Sequence, residues 1–151
     1  MGAGFEVKGM EATIAKFQRA AIASEDAVKR AVKAGGRVVA EKLQEKAPVD
    51  TGALRDSIKP DAVKYDAANG YYCTVKPVGN HPKTGEPLAK IGNILEYGRS
   101  SSAKRRKYNK PKGRISNMDA RGWFHPTVKE AEGEVMTAMQ KELDKRMGAV
   151  K

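Results

Sequence analysis

The residues best suited to nucleophilic or metal chemistry are one cysteine and two histidines, and they lie apart in the chain. Cys73, His81 and His125 have no ligand-type neighbours at the short spacings typical of a metal site. A cysteine–histidine nucleophile pair stays open, because such residues meet only in the folded chain. Cys73 lies within an alternating apolar stretch, so we predict that it packs rather than reacts. We predict that each histidine faces solvent or has a simple hydrogen-bond partner.

Two other stretches resemble chemical motifs only superficially. The segment Gly79–Glu86 superficially resembles a phosphate-binding loop, but it lacks the Gly-Lys-Ser/Thr ending that holds nucleotide phosphates and magnesium. Glu130, Glu132 and Glu134 could hold a cation, but only Glu130 and Glu134 share a helix face, where like charges normally face water. The sequence therefore predicts no catalytic residue, no cofactor and no metal site, and hence no enzyme.

Most of the net positive charge comes from one segment. The chain has a formal net charge of +11, and the acid-free span 99–114 holds eight basic residues: Arg99, Lys104, Arg105, Arg106, Lys107, Lys110, Lys112 and Arg114. Three interpretations stay open. The segment binds nucleic-acid phosphates without sequence preference, it is a flexible solvated loop that orders only on assembly, or it docks onto an acidic partner protein.

Length and composition predict a single domain, residues 1–151, with a modest core. Hydrophobic residues make up 40% of the 151 residues and aromatic residues only 6%, so the core must be aliphatic, and association with other chains would stabilise it. One cysteine allows no intramolecular disulfide. No secretory signal is visible, and no apolar run approaches the roughly 18 residues of a membrane helix. We expect a soluble protein made in the cytoplasm, with no membrane partner.

Apolar spacing predicts helices at both ends of the chain. A stripe at steps of four, three and four residues predicts a helix from Met10, after a short strand at 5–8. A longer helix is predicted from about Glu25 to Lys46, with one face formed by Val28, Val32, Gly35, Val39 and Leu43. The Gly35-Gly36 pair in its middle indicates either a close crossing with another element or a weak point. A last helix runs from about Pro126 to Met147, with a core stripe of Val128, Ala131, Val135, Met139 and Leu143.

The middle of the chain reads as strands and short helices. Pro48 ends the long helix, and a single helical turn follows at about 53–57. Two strands, about 58–65 and 71–77, flank a turn that Asn69-Gly70 predicts. A short helix at about 91–97 ends at Gly98. The predicted fold class is α+β, a small antiparallel β-sheet flanked by a long N-terminal helix and a C-terminal helix.

Three segments carry a resemblance to a known family. Ala47–Ile58 reads APVDTGALRDSI, and it is followed in order by ILEYG at 94–98 and WFHPT at 123–127. Together they resemble the minor tail-component family of long-tailed bacteriophages, which includes neck, head–tail joining and tail-completion proteins. The resemblance spans about Gly9 to Met147. The loops at 79–89 and 99–114 are longer than a minimal member needs.

The resemblance implies a non-enzymatic virion protein of the head–tail junction or tail. Such a subunit would assemble as a ring, often a hexamer, with connector and tail-tube proteins as partners and DNA passing through the channel. The first of the three segments, Ala47–Ile58, is an assembly or fold motif, formed by Pro48, Asp50, Thr51, Gly52, Leu54, Arg55 and Ser57. An alternative function is a nucleic-acid-binding module that uses the basic segment.

For this motif we predict that Asp50 or Thr51 caps the short helix. Leu54 and Ile58 should anchor the helix to the core, and Arg55 should pair with a carboxylate of its own chain or of a neighbour. Alternatively, the motif only stabilises the subunit and makes no contact between subunits.

Overall fold

The computed structural model describes residues 25–99 and 118–147, and within them it has an α+β fold. The helices are α1 (Glu25–Lys46), α2 (Ala53–Ser57), α3 (Leu88–Tyr97) and α4 (Phe124–Met147). The strands are β1 (Ile58–Pro60), β2 (Lys64–Asp66), β3 (Gly70–Tyr72) and β4 (Val75–Pro77). The fold class is as predicted. The strand predicted at 5–8, the helix predicted from Met10 and the basic residues beyond Arg99 lie outside the described residues.

The packing of α1 against α4 forms the main core. All five residues of the predicted α4 stripe are buried, namely Val128, Ala131, Val135, Met139 and Leu143. On α1, Leu43 is fully buried, and of the predicted stripe only Val28 remains half-buried. At the edge of the pair, Lys42 Nζ lies 2.9 Å from Glu134 Oε1. Both predicted helix faces are confirmed.

The Gly35-Gly36 pair lets α1 be approached closely from two sides. A Cβ on Gly35 would stand 3.0 Å from Cγ of Met139 on α4. A Cβ on Gly36 would stand 2.9 Å from Sγ of Cys73, on the strand side. Helix α1 continues without interruption through both glycines. The close-crossing interpretation is therefore confirmed, and it applies to a helix and to a β-hairpin at once.

The four strands form one irregular hairpin with an extra residue in its first arm. β1 pairs with β4, where Ile58 lies opposite Pro77, and β2 pairs with β3, where Lys64 lies opposite Tyr72. Lys64 lies four residues after Pro60 on the first arm, whereas their partners Tyr72 and Val75 lie three residues apart on the second arm. The extra residue on the first arm forms a bulge. The prediction that Cys73 lies mid-strand is therefore wrong, because it falls in the interruption between β3 and β4.

The predicted turn and short helix are present with small shifts. The turn predicted at residues 66–70 is present: Asp66 and Gly70 pair across a loop at 67–69, and Gly70 takes a positive φ of 72°. Helix α3 begins at Leu88, three residues before the predicted start, and Gly98 ends it with a φ of 77°. None of the helices in the described ranges is both long enough and apolar enough to cross a bilayer.

Candidate functional site

Residues 47–58, which we call the elbow, turn the chain from α1 into the hairpin. Ala47 is buried and its amide still donates to the carbonyl of Leu43 at 2.9 Å, after which Pro48 leaves the helix. Gly52 has a φ of 79°, in the left-handed region that favours glycine, and its carbonyl accepts the amide of Asp56 at 2.9 Å. Helix α2 then passes directly into β1. The elbow is thus a tight corner built from consecutive residues.

Apolar burial and two polar contacts hold the elbow in place. Leu54 and Ile58 are 6% and 0% exposed, which confirms the prediction that they anchor the segment. The hydroxyl of Ser57 donates to the carbonyl of Leu54 at 2.7 Å. Gln44 of α1 donates from Nε2 to the carbonyl of Ile58 at 2.8 Å. Sequence reasoning missed Gln44, because a glutamine on a long helix gives no signal of the strand it will meet.

The N-cap residue of α2 is Gly52 and no side chain caps the helix, so the prediction that Asp50 or Thr51 caps it is wrong. Thr51 contacts only the first residue of the helix. The Thr51 hydroxyl accepts the amide of Ala53 at 3.4 Å and lies 3.3 Å from Nε2 of His81. Nδ1 of His81 accepts hydrogen bonds from the backbone amides of Lys83 and Thr84. The ring proton is therefore on Nε2, which donates to the Thr51 hydroxyl. Asp50 is exposed and forms no hydrogen bond or ion pair within the described residues. Its carboxylate is therefore available to a partner.

Arg55 pairs within its own chain. Its Nε lies 2.7 Å from Oδ1 of the adjacent Asp56, and both side chains are exposed. The hydrogen bond from Arg55 is the main cause that lowers the pKa of Asp56. Of the two predicted partners for Arg55, the structure shows the carboxylate of the same chain. An exposed pair of neighbours contributes little to stability.

A groove of about 390 Å³, the elbow groove, lies between the elbow and α3. Its polar rim includes Asp50, Thr51, His81 and Glu86, and its apolar wall is formed by Leu54, Leu88, Ile91, Ile94 and Leu95. Of the predicted motif, Pro48 and Gly52 also line the groove, whereas Arg55 and Ser57 do not. The structure therefore brings five of the seven motif residues to one concave surface.

A second corner, where α4 begins, depends on one buried carboxylate. Glu96 of α3 is 8% exposed, and its Oε2 accepts the amide of Phe124 at 2.7 Å. Its Oε1 accepts the amide of His125 at 3.2 Å and lies 2.6 Å from Nδ1 of the same histidine. The next residue, Pro126, has no amide hydrogen to satisfy. Glu96 thus caps the free amides at the positive end of the α4 dipole.

The protonation of Glu96 follows from these contacts. Burial alone would raise its pKa, but hydrogen bonds from the Phe124 amide, the His125 ring and the His125 amide together lower the pKa below its usual value. Because the ionised carboxylate only accepts, Nδ1 of His125 carries the proton in this contact. The acid is therefore held in its charged form, as a structural cap.

The comparison with protein families identifies the group to which this architecture belongs. The family model described as "Bacteriophage HK97-gp10, putative tail-component" matches residues 10–98. This range covers more than half of the chain and contains the elbow, the hairpin and α3.

The chain belongs to this family of bacteriophage tail components. No curated protein matches it, and no solved structure does. The matched range of the tail component includes Glu96 and ends before α4, the helix that Glu96 caps.

In this tail component, a second depression lies on the opposite face of α3 from the elbow groove. We call it the indole pocket; it encloses about 60 Å³ and its lining, mostly apolar in surface, includes Pro77, Gly92, Trp123 and Phe124 together with Glu96 and His125. Trp123 is 8% exposed, and its ring meets Phe124 edge-on with centroids 5.5 Å apart. Its indole Nε1 is buried and has no acceptor among the described residues.

The residues first considered for chemistry have structural roles. Cys73 donates its thiol hydrogen to the carbonyl of Asp61 at 3.2 Å, and burial raises its pKa, so the thiol stays protonated. Glu130, Glu132 and Glu134 are exposed, as predicted for a solvated face. Within residues 25–99 and 118–147, no group of three or more His, Cys, Asp or Glu side chains is placed to hold a metal ion.

The predicted basic contacts lie almost wholly outside the described residues. This applies to Lys104, Arg105, Arg106, Lys107, Lys110, Lys112 and Arg114. Arg99 and Met118 are described and pair with each other. The amide of Arg99 donates to the carbonyl of Met118 at 2.8 Å, and the amide of Met118 donates to the carbonyl of Arg99 at 2.9 Å. Arg99 and Met118, the two described residues that flank residues 100–117, therefore lie side by side in the lining of the elbow groove.

Proposed function

We propose that this tail component is a structural subunit of the head–tail junction, a neck or tail-completion protein that assembles as a ring, with a hexamer as the expected size. Its partners are copies of itself and the phage connector and tail-tube proteins. It acts by assembly and not by catalysis. All 151 residues form one domain, made in the host cytoplasm and incorporated into the virion.

The family match over residues 10–98 carries this proposal. The matched range contains the elbow, whose buried anchors and left-handed glycine make it a rigid corner. Such a corner can present Asp50 and Pro48 in a fixed position. This supports a role for the motif in contacts between subunits, in addition to its role in the fold.

The two depressions on α3 support a ring in particular. Ile91, Ile94 and Leu95 face the elbow groove, whereas Ala89, Asn93 and Glu96 face the indole pocket. At 100° per residue these two sets lie on opposite sides of the helix. A closed ring requires two different patches on each subunit, which meet head to tail. The elbow groove and the indole pocket are two unlike surfaces on either side of α3, and they are our candidates for these patches.

Native mass spectrometry of the purified protein tests assembly. Alone at high concentration, we expect particles whose masses are integer multiples, twofold or higher, of the subunit mass. After addition of connector and tail-tube proteins, we expect such multiples plus the masses of the bound partners. A protein that stays monomeric at high concentration and with both partners present would overturn the proposal. Denatured protein from the same sample supplies the exact subunit mass as the control.

The second candidate function is nucleic-acid binding by the basic segment, which its charge of eight cations without an acid favours. DNA affinity would then fall steeply with salt, with a slope of about 0.9 per phosphate contact in a logarithmic plot. Replacing Arg105, Arg106 and Lys107 by glutamine should flatten this slope. The matched control replaces Lys33, Arg37 and Lys59, three exposed cations of the body. Absence of DNA binding at low salt would exclude this function.

A further inference from the structure

The loop between β4 and α3 is folded around one histidine ring. We call residues 79–87 the histidine loop, and His81 is half-buried within it. Nδ1 of His81 accepts hydrogen bonds from the backbone amides of Lys83 and Thr84, both at 3.3 Å. Its Nε2 lies 3.3 Å from the Thr51 hydroxyl, to which it donates. The ring therefore connects the histidine loop to the elbow.

The two contacts at Nδ1 exist only while the ring is neutral. A neutral imidazole has one nitrogen that donates and one that accepts, whereas both nitrogens donate in the protonated ring. Protonated His81 would point an N–H at the amide hydrogens of Lys83 and Thr84, so both contacts must break. The contact from Nε2 to Thr51 survives, because that nitrogen carries a proton in both forms of the ring.

Backbone hydrogen bonds hold the base of the histidine loop independently of the ring. The amide of His81 donates to the carbonyl of Glu86 at 2.8 Å, and the amide of Gly85 donates to the carbonyl of His81 at 2.8 Å. The amide of Leu88 donates to the carbonyl of Gly79 at 2.9 Å. Loss of the Nδ1 contacts should therefore rearrange the turn inside these bonds and leave its base in place.

Charged groups lie near the ring on the loop, the elbow and α3. The loop contributes Lys83 and Glu86, the elbow contributes Asp50, and Lys90 and Arg99 lie on α3 and just after it. The hydrogen bond from Lys90 is the main cause that lowers the pKa of Glu86, and the charges of Lys90, Arg99 and a protonated histidine ring act in the same direction. A protonated His81 therefore keeps an ionised carboxylate nearby, and acid should rearrange the turn without expelling the ring.

His125 is the opposite case within the same chain. Its Nδ1 donates to Oε1 of Glu96 at 2.6 Å, so protonation of the ring leaves that donor unchanged. The sequence has two histidines, of which one accepts at Nδ1 and the other donates there. Mild acid should therefore act on the histidine loop and leave the contact of His125 in place.

We propose that His81 is a pH-sensitive latch on the rim of the elbow groove. With a neutral ring, the latch holds the turn, and His81, Thr84 and Glu86 line one side of the groove. Between about pH 8 and about pH 5, the range in which histidine takes up a proton, the latch opens and this side of the groove changes shape. The opposite side, formed by the elbow, keeps its contacts. The inference concerns the single chain and does not rest on the proposed ring.

Nuclear magnetic resonance of the ¹⁵N-labelled wild-type protein tests the latch directly. At about pH 8 the ring signals should show the proton of His81 on Nε2 and that of His125 on Nδ1. As the pH falls to about 5, the backbone amide signals of Lys83 and Thr84 should shift with the same midpoint as the His81 ring. The amide of Leu88 should stay in place. A neutral His81 with its proton on Nδ1, or amides of Lys83 and Thr84 that do not follow the ring, would overturn the proposal.

The variant His81→Asn separates the latch from other effects of acid. The side-chain oxygen of asparagine can accept the same two amides, but the group takes up no proton in this pH range. The amide signals of Lys83 and Thr84 should therefore lose their pH dependence in this variant. His125→Asn is the matched control and should respond as the wild type does. If the two amides shift as far in His81→Asn as in the wild type, another group causes the change and the latch is wrong.

Discussion

Two corners of the molecule are held by different physical means. The elbow joins α1 to the hairpin through consecutive residues, two buried aliphatic anchors and a 3.4 Å contact from Thr51. The corner at the start of α4 is held by Glu96, which lies 28 residues before Phe124 and accepts its amide at 2.7 Å. The first corner depends mainly on apolar burial and on neutral contacts between residues close in sequence, whereas the second depends on a charged residue distant in sequence.

The difference teaches which forces each corner depends on. Removal of buried methyl groups should disrupt the elbow, and pH should hardly affect it. Removal of one carboxylate should disrupt the α4 corner, because two backbone amides would lose their acceptor. The following predictions test this contrast, from the largest expected effect to the smallest.

Ile58→Ala should have the largest effect on stability. Ile58 is fully buried where α2 meets β1, and truncation of such a residue costs about 2–5 kcal/mol of unfolding free energy. Urea denaturation followed by circular dichroism measures the loss. Val49→Ala, at an exposed position of the same segment, is the control and should change little. A loss below about 1 kcal/mol for Ile58→Ala would show that the elbow is not anchored as described.

Glu96→Ala should destabilise the second corner by about 1–3 kcal/mol, because it leaves the amides of Phe124 and His125 unsatisfied. Glu96→Gln retains an acceptor oxygen and should lose less. Urea denaturation of both variants provides the measurement. Glu41→Ala on the exposed face of α1 is the control and should leave stability unchanged. Equal losses for the alanine and glutamine variants would rule out the capping contacts as the cause.

The α4 corner should weaken in acid and the elbow should not. The folded pKa of Glu96 lies below its unfolded value, so its contribution is complete above an unfolded pKa of about 4.3 and is lost as pH falls through the folded pKa. Unfolding free energies of wild type and Glu96→Gln should therefore differ at neutral pH and converge in acid. The deficit of Ile58→Ala should stay constant over the same range. A Glu96→Gln deficit independent of pH would contradict the charged cap.

Thr51→Ala should have the smallest effect of the series. The Thr51 hydroxyl is exposed, does not cap α2, and makes only a long contact of 3.4 Å with the amide of Ala53, so we expect a loss of about 0.5 kcal/mol or less, the low end for a hydrogen bond. Thermal denaturation of Thr51→Ala and Glu96→Ala side by side compares the contributions of the two residues to stability at the starts of α2 and α4. A loss for Thr51→Ala as large as that for Glu96→Ala would remove the contrast between the corners.

The sequence predicted the parts of the fold that depend on neighbouring residues. The bounds of α1, the single turn of α2 and the core stripe of α4 follow from periodic apolar spacing and from Pro48. The bulge that displaces Cys73 from a strand was not predicted. A bulge is an extra residue on one arm relative to the other, and it can be recognised only when the pairing of the two arms is known.

The long-range contacts could not be predicted from the sequence. Glu96 lies within a segment that the family resemblance marks, but its role requires knowing that α4 begins beside α3. Gln44 and Trp123 are similar cases, since their partners, or the lack of one, depend on how distant elements pack. For the elbow, the predicted anchors are confirmed, and five of its seven motif residues meet at one groove. Their use in assembly is the part that remains a prediction.

Electron microscopy of virions that carry a labelled copy of this tail component tests the account most directly. A gold-binding tag on the protein should place the label at the joint between head and tail, in several copies per particle. Label on the tail tip, label along the whole tube, or virions that contain none of the protein would contradict a ring subunit of the head–tail junction.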